Sequence, residues 1–156
     1  RAAALLLFCF PGSPTVYYGD EAGVCGFTDP DNRRTYPWGN ADYPLVDYHR
    51  DMIMVHKCSS ALRRGSFKFL KRMKNFISYG RFNEQERYVV AVNVGAETLE
   101  ADVPVYLAEV ADGFMVQAML TNEKGYSIMP TKYAVKDGMM HVSLTANSGM
   151  VFKQEV

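Results

Sequence analysis

The stretch Pro11–Gly23, PGSPTVYYGDEAG, decides how the rest of the chain is read. Within it, Pro11-Gly12-Ser13-Pro14 stops any helix that reaches it. Thr15 to Tyr18 then runs β-branched and aromatic without polar alternation, the pattern of a short parallel strand covered on both faces. Upstream, Ala2 to Phe10 is apolar on all sides, which predicts the end of a helix inside a larger body. Downstream, Gly19 to Asn40 is a loop rich in Gly, Asp, Asn and Pro, and a compact domain keeps so long a loop for a purpose.

Beyond the loop, Asp42 can cap a helix with Pro44 in its first turn. Leu45, Tyr48, Met52, Val55, Ser59 and Leu62 fall at steps of three and four, which predicts one apolar face running to Leu62. After Gly65 the period becomes two. Runs at Phe67 to Leu70, Asn75 to Tyr79, Tyr88 to Val94, Leu99 to Val105, Phe114 to Leu120, Tyr133 to Val135, Met139 to Leu144 and Gly149 to Lys153 predict about eight strands. Asp112-Gly113 and Asp137-Gly138 read as hairpin turns, because Gly accepts the positive φ of primed turns. The expected fold is mainly β: an antiparallel β-sandwich over residues 63–156, preceded by a helical piece over residues 1–62. No fixed-period repeat or low-complexity tract interrupts either part.

At 156 residues the chain can bury one good core, or a small domain with an appended piece. Its 17 basic and 17 acidic residues set up no net field toward nucleic acid or an anionic membrane, so neither is an expected partner. The apolar opening run is too short to span a bilayer, and Arg1 stands where a native start carries Met; an internal cut is expected rather than a targeting segment. Cys9, Cys25 and Cys58 lack the paired spacing of a zinc site or redox dithiol and read as buried or inert thiols. His49 and His56 are seven apart on one helix, too far for the i, i+4 pair of helical zinc sites, and His141 lies in a strand. No metal or cofactor is expected in this chain.

Two motifs carry a resemblance. PGSPTVYYGDEAG at residues 11–23 resembles the eighth barrel strand of α-amylase-family glycoside hydrolases. Asp29-Pro30-Asp31-Asn32-Arg33-Arg34, followed by Pro37-Trp38, is similar to the segment that follows in the same family. Two ordered matches at the family's spacing are far more specific than either alone. The wording is closest to the neopullulanase, cyclomaltodextrinase and maltogenic amylase branch. The resemblance implies that residues 1–62 are the end of a TIM (β/α)8 barrel: the end of helix 7, strand 8, its loop and helix 8. It also implies an α-glucan hydrolase of starch, maltodextrin, pullulan or cyclodextrin that works by a retaining mechanism, in which two carboxyl groups about 5 Å apart act as nucleophile and acid. The family carries those carboxylates on barrel strands four, five and seven, and none maps onto this sequence. A barrel also needs eight strands to close, so the lone chain is expected to hydrolyse nothing. Calcium dependence of the whole enzyme is not fixed by these residues.

Within the loop, the resemblance assigns Asp29 and Arg33 to an α-glucan oligosaccharide, at a glucose on the non-reducing side of the cleft. A carboxylate accepts from neighbouring hydroxyls while a guanidinium donates through a planar fork, so the pair grips a diol by direction. An internal salt bridge is the other reading, and both can hold. Tyr36 and Trp38 can stack on the apolar face of a pyranose, and Trp38 fits core packing equally well. Asp20 and Glu21 are neighbours in an extended segment and point apart, so they read as structural carboxylates bonded to nearby backbone. Lys68, Lys71, Arg72 and Lys74, interleaved with Phe67 and Phe69, read as a solvated strand face. The rival function is a non-catalytic carbohydrate-binding or structural β-sandwich module. Without the rest of a barrel, Thr15 to Tyr18 together with Leu5, Leu6 and Phe8 are expected to lie uncovered and to drive self-association.

Overall fold

The computed structural model describes residues 1–155. Three helices come first: α1 (Ala2–Cys9), α2 (Tyr43–Lys57) and α3 (Ser60–Arg64). Nine strands follow: β1 (Ser66–Met73), β2 (Phe76–Phe82), β3 (Glu86–Asn93), β4 (Leu99–Pro104), β5 (Gly113–Asn122), β6 (Gly125–Ser127), β7 (Lys132–Lys136), β8 (Met139–Leu144) and β9 (Ser148–Glu155). All eight expected strands are present, and β6 is additional.

Every pairing among the described strands is antiparallel, in the order β1-β2-β3-β9-β5-β7-β8-β4, with β6 beside β5. The expected sandwich is thus one continuous sheet folded onto itself. Strand β5 makes the junction: its first half pairs with β7, its second with β9, and its register shifts between Gln117 and Met119. Such a bulge bends a strand and lets it serve two layers. The free ends of the path meet where Lys71 Nζ on β1 donates to Asp102 O on β4 at 3.0 Å. Between the folded halves lies a core built on Val89, Ala91, Val103, Met115, Met140, Val142 and Phe152.

Residues 1–64 form a further layer on the outside of this sheet. Tyr88, Val90, Val92, Met119 and Val151 point outward and bury against Leu5, Phe8, Tyr48, Met52 and Leu62. Strand β3 is therefore buried on both faces, and its sequence runs apolar without alternation for that reason. Polar bonds cross the same seam. Glu86 Oε2 accepts from Ser59 Oγ (2.9 Å), Ser60 Oγ (3.2 Å) and Ala61 N (3.2 Å) at the start of α3. Arg81, 2% exposed, donates to Cys9 O at the end of α1 (3.0 Å) and to Gly65 O after α3 (3.3 Å). Both helix ends leave carbonyls without intrahelical partners, and a guanidinium satisfies them.

Four expectations are corrected. The helix predicted to run to Leu62 breaks at Cys58-Ser59, because Ser59 turns extended and its hydroxyl caps a new helix, accepting from Leu62 N at 3.0 Å. Thr15 to Tyr18 is irregular rather than a strand, since a parallel strand exists only through a ladder to neighbours and none pairs with it among the described residues. Leu5 and Phe8 are not uncovered: they are 0% and 2% exposed, because α1 packs under α2 and over β3 and β9. Asp112-Gly113 is not a hairpin, since β4 pairs with β8 instead of β5. Its carboxylate instead accepts from Asp137 N (3.0 Å) and Gly138 N (2.8 Å), bracing the β7–β8 hairpin where Asp137 and Gly138 take φ of 52° and 72°.

The remaining sequence features fall as follows. Cys9 is buried, and burial pushes its thiol up to about 12; Cys25 and Cys58 are free and exposed, so only one of the three is buried. The basic residues of β1 lie along a strand at one end of the sheet, with Arg72 over the Phe69 ring, and charge there discourages edge-to-edge pairing. Among the described residues no helix is long and apolar enough to cross a membrane.

Candidate functional site

The long loop is closed at its base and open at its crown. Ala22 O accepts from Asp42 N (3.1 Å), which joins the loop's start to the cap of α2, where Asp42 Oδ1 accepts from Leu45 N (3.1 Å). Glu21 Oε2 accepts from Gly19 N at 2.9 Å. That bond turns one member of the acidic pair into a backbone brace. Asp20 starts a single 3-10 turn, Asp20–Ala22, and its side chain lines a cleft of about 270 Å³ with Leu7, Val16, Leu45 and His49.

The crown is a second 3-10 turn, Asp31–Arg33, packed against Gly26. A Cβ on Gly26 would lie 2.6 Å from both Asn32 Cα and Asp31 O, so only glycine permits this return of the chain. Arg34 Nε (2.9 Å) and Nη2 (2.6 Å) both donate to Asp31 Oδ1. That bond holds the Asp31 carboxyl below its ordinary range. Tyr18 Oη donates to Arg34 O at 3.0 Å, pinning the crown to the strand-like entry segment. The Asp31–Arg34 clasp was not among the expected site residues, although its i, i+3 spacing is visible in the sequence.

Asp29 and Arg33 project from this braced turn. Arg33 Nε meets Asp29 Oδ1 at 2.7 Å, with side chains 68% and 62% exposed. Both readings of the pair are therefore compatible with one geometry: it is an internal ion pair, and it faces solvent. An ion pair this open contributes about 0–1 kcal/mol, so incoming hydroxyl groups can displace it at little cost. The two Nη groups of Arg33 have no hydrogen-bond partner among the described residues. Arg34 commits Nε and Nη2 to the scaffold, whereas Arg33 commits only Nε, to Asp29.

Tyr36 and Trp38 stand on the outgoing limb, ring centroids 4.6 Å apart and inclined at 49°. Trp38 is 83% exposed, so it joins neither core cluster of the described residues. Phe27, on the incoming limb, is 92% exposed and was not singled out by sequence. The crown thus presents a carboxylate, a guanidinium and an aromatic ring to solvent, a set able to bind a neutral polyol. No group of three or more His, Cys, Asp or Glu able to hold a metal occurs among the described residues. His49 Nδ1 donates to Leu45 O, His56 Nδ1 to Phe8 O, and His141 faces Asp102 across β4 and β8.

Comparison with known proteins gives a consistent result. No family model matches the chain. The amylopullulanase of Thermoanaerobacterium saccharolyticum is 28% identical over 97% of this chain and 12% of its own length. A cyclomaltodextrinase of a Bacillus species is 36% identical over 60% of this chain and 17% of its own. The crystal structure of an Anoxybacillus α-amylase superposes with a TM-score of 0.83 at 25% identity, over 99% of this chain and 31% of that one. These relatives are α-amylase-family glycoside hydrolases, and this chain spans a minor part of each.

Proposed function

We propose, from its kinship with α-amylase-family enzymes along nearly its whole length, that this chain is the C-terminal part of a glycoside hydrolase acting on α-glucans. Residues 1–62 supply the last βα unit of a TIM barrel, and residues 63–156 supply the β domain that covers its side. The irregular segment Thr15 to Tyr18 becomes the eighth parallel strand once neighbouring strands offer it a ladder. The reaction is retaining: one carboxylate attacks the anomeric carbon, a second protonates the leaving oxygen, and water then resolves the glycosyl intermediate. Those carboxylates lie on other barrel strands, so this chain alone binds sugar without cleaving it.

The observation that carries the reading is the Asp29–Arg33 pair, 2.7 Å apart and open to solvent on a braced turn. In the bound state Asp29 accepts from two adjacent glucose hydroxyls and Arg33 donates through its free Nη groups. Tyr36 and Trp38 cover an apolar sugar face beside them. Glu21 and Asp20 play no chemical part: the first braces Gly19, and the second lines the cleft toward the missing barrel.

Trp38 is the sole tryptophan, so its emission reports on this loop alone. Titration with maltohexaose is expected to change that emission saturably in the wild-type chain, and D29N is expected to bind about tenfold more weakly, the loss of one charge-assisted hydrogen bond. No reducing sugar is released in the same mixture. Emission that ignores the sugar, or a D29N variant that binds as the wild type does, contradicts the assignment.

A further inference from the structure

Phe27 is the most exposed large apolar side chain of the described residues, at 92%. We infer that it is a pyranose-stacking residue, which adds a subsite outward of the Asp29–Arg33 grip and makes the loop prefer longer α-glucan chains. The inference rests on the reading of that loop as a sugar site.

Three observations carry it. The first is position: the exposed ring sits on the crown loop with Asp29, Arg33 and Trp38, and it does not line the clefts formed by Leu7, Tyr18 and Ile53 that we read as the barrel side. The second is that the backbone beside the ring is fixed. Phe27 N donates to Asp31 Oδ2 (3.4 Å), Asn32 N donates to Thr28 O (3.2 Å), and Gly26 is wedged against Asn32 and Asp31. Asp31 is clasped in turn by Arg34, so the ring is carried by the same braced turn that carries Asp29 and Arg33. A built mount for an unburied ring is the geometry of a binding platform.

The third is chemical order. Along the loop a ring (Phe27) is followed by a carboxylate and guanidinium (Asp29, Arg33), then by a second ring system (Tyr36, Trp38). Each glucose of an α-glucan offers hydroxyls at its rim and an apolar C–H face. Polar groups satisfy the rim by direction, and rings cover the face without hydrogen bonds. One glucose occupies the ion pair and one ring; a second ring on the opposite limb has work only when the ligand is longer. Phe27 thus distinguishes chain lengths that the ion pair alone treats alike.

The test uses the full chain and Trp38 emission, with maltose and maltohexaose as probes and wild type, F27A, F27Y and D29N as proteins. F27A is expected to weaken maltohexaose about threefold to tenfold, the range of one aromatic contact, and to leave maltose unchanged. F27Y, which keeps the ring, is expected to restore the hexaose affinity. Thermal melts of F27A should match wild type, since the removed ring touches no core. Unchanged hexaose binding in F27A, with D29N still impaired, overturns the role of Phe27 and leaves the ion-pair site standing. Equal weakening of both sugars overturns the length preference. Loss of any sugar response in the wild type overturns the loop reading, and this inference with it.

Discussion

Glu86 ties two layers of the molecule together through one carboxylate. Burial alone pushes its pKa up. The Ala61 amide, the hydroxyls of Ser59 and Ser60, and the Lys153 ammonium 3.4 Å away outweigh that and hold it below the ordinary carboxylate value. A depressed folded-state pKa means the stabilisation is complete above the unfolded value, about 4.3 for Glu, and is lost as pH falls through the folded value. E86Q is therefore expected to lose about 1–3 kcal/mol of stability at pH 7, with the gap to wild type closing in acid. Urea unfolding at neutral and acidic pH checks this; a gap that stays constant with pH contradicts it. Residues of this kind were invisible in the sequence. The partners of Glu86 at the start of α3 lie 25 to 27 positions before it and Lys153 lies far beyond it, while those of Arg81 are 16 and 72 positions away. Asp29, Arg33, Tyr36 and Trp38, the proposed sugar contacts, could be named from sequence because one loop carries them and its wording matches a family motif. Phe27 lies in the same loop but outside the motif wording, and only its exposure marks it.

Among the elements, legibility followed how local the determining forces are. Eight strands were visible as apolar runs between turn residues, and Asp42 as a helix cap. The break at Ser59 was not, because the apolar face continues across it to Leu62 while Ser59 and Glu86 redirect the backbone. The segment Thr15 to Tyr18 has strand composition but no ladder partner among the described residues, and composition alone does not make a strand. Leu5 and Phe8 found cover that the sequence did not suggest, in the outer face of β3 and β9. What stays exposed beside them is a smaller face: Leu7 at 41%, Tyr17 at 50%, Tyr18 at 46% and Ile53 at 37%. Our reading of this face as the barrel side makes it sticky when bare. Sedimentation velocity over a concentration series is expected to show reversible association, and I53K is expected to diminish it; a strictly monomeric wild type contradicts this.

At the scale of the whole molecule, one sheet presents two apolar faces. The inner face closes on itself, and the outer receives α1, α2 and α3. This explains why the residues before Ser66 do not form a detached piece: their core is shared with β2, β3, β5 and β9. The same layer carries the crown loop, whose base is closed by the bond from Asp42 N to Ala22 O. The composition pattern located the change from helix to strand near residue 65, but it could not show that β5 would serve both halves of one sheet, since that depends on a bulge at Gln117–Met119.

The most direct test of the claim that this chain completes a barrel hydrolase is to read the coding frame upstream of Arg1. The account predicts seven further βα units, with carboxylates at the ends of the fourth, fifth and seventh strands. A start codon close to Arg1 would contradict it and leave a sugar-binding or structural module.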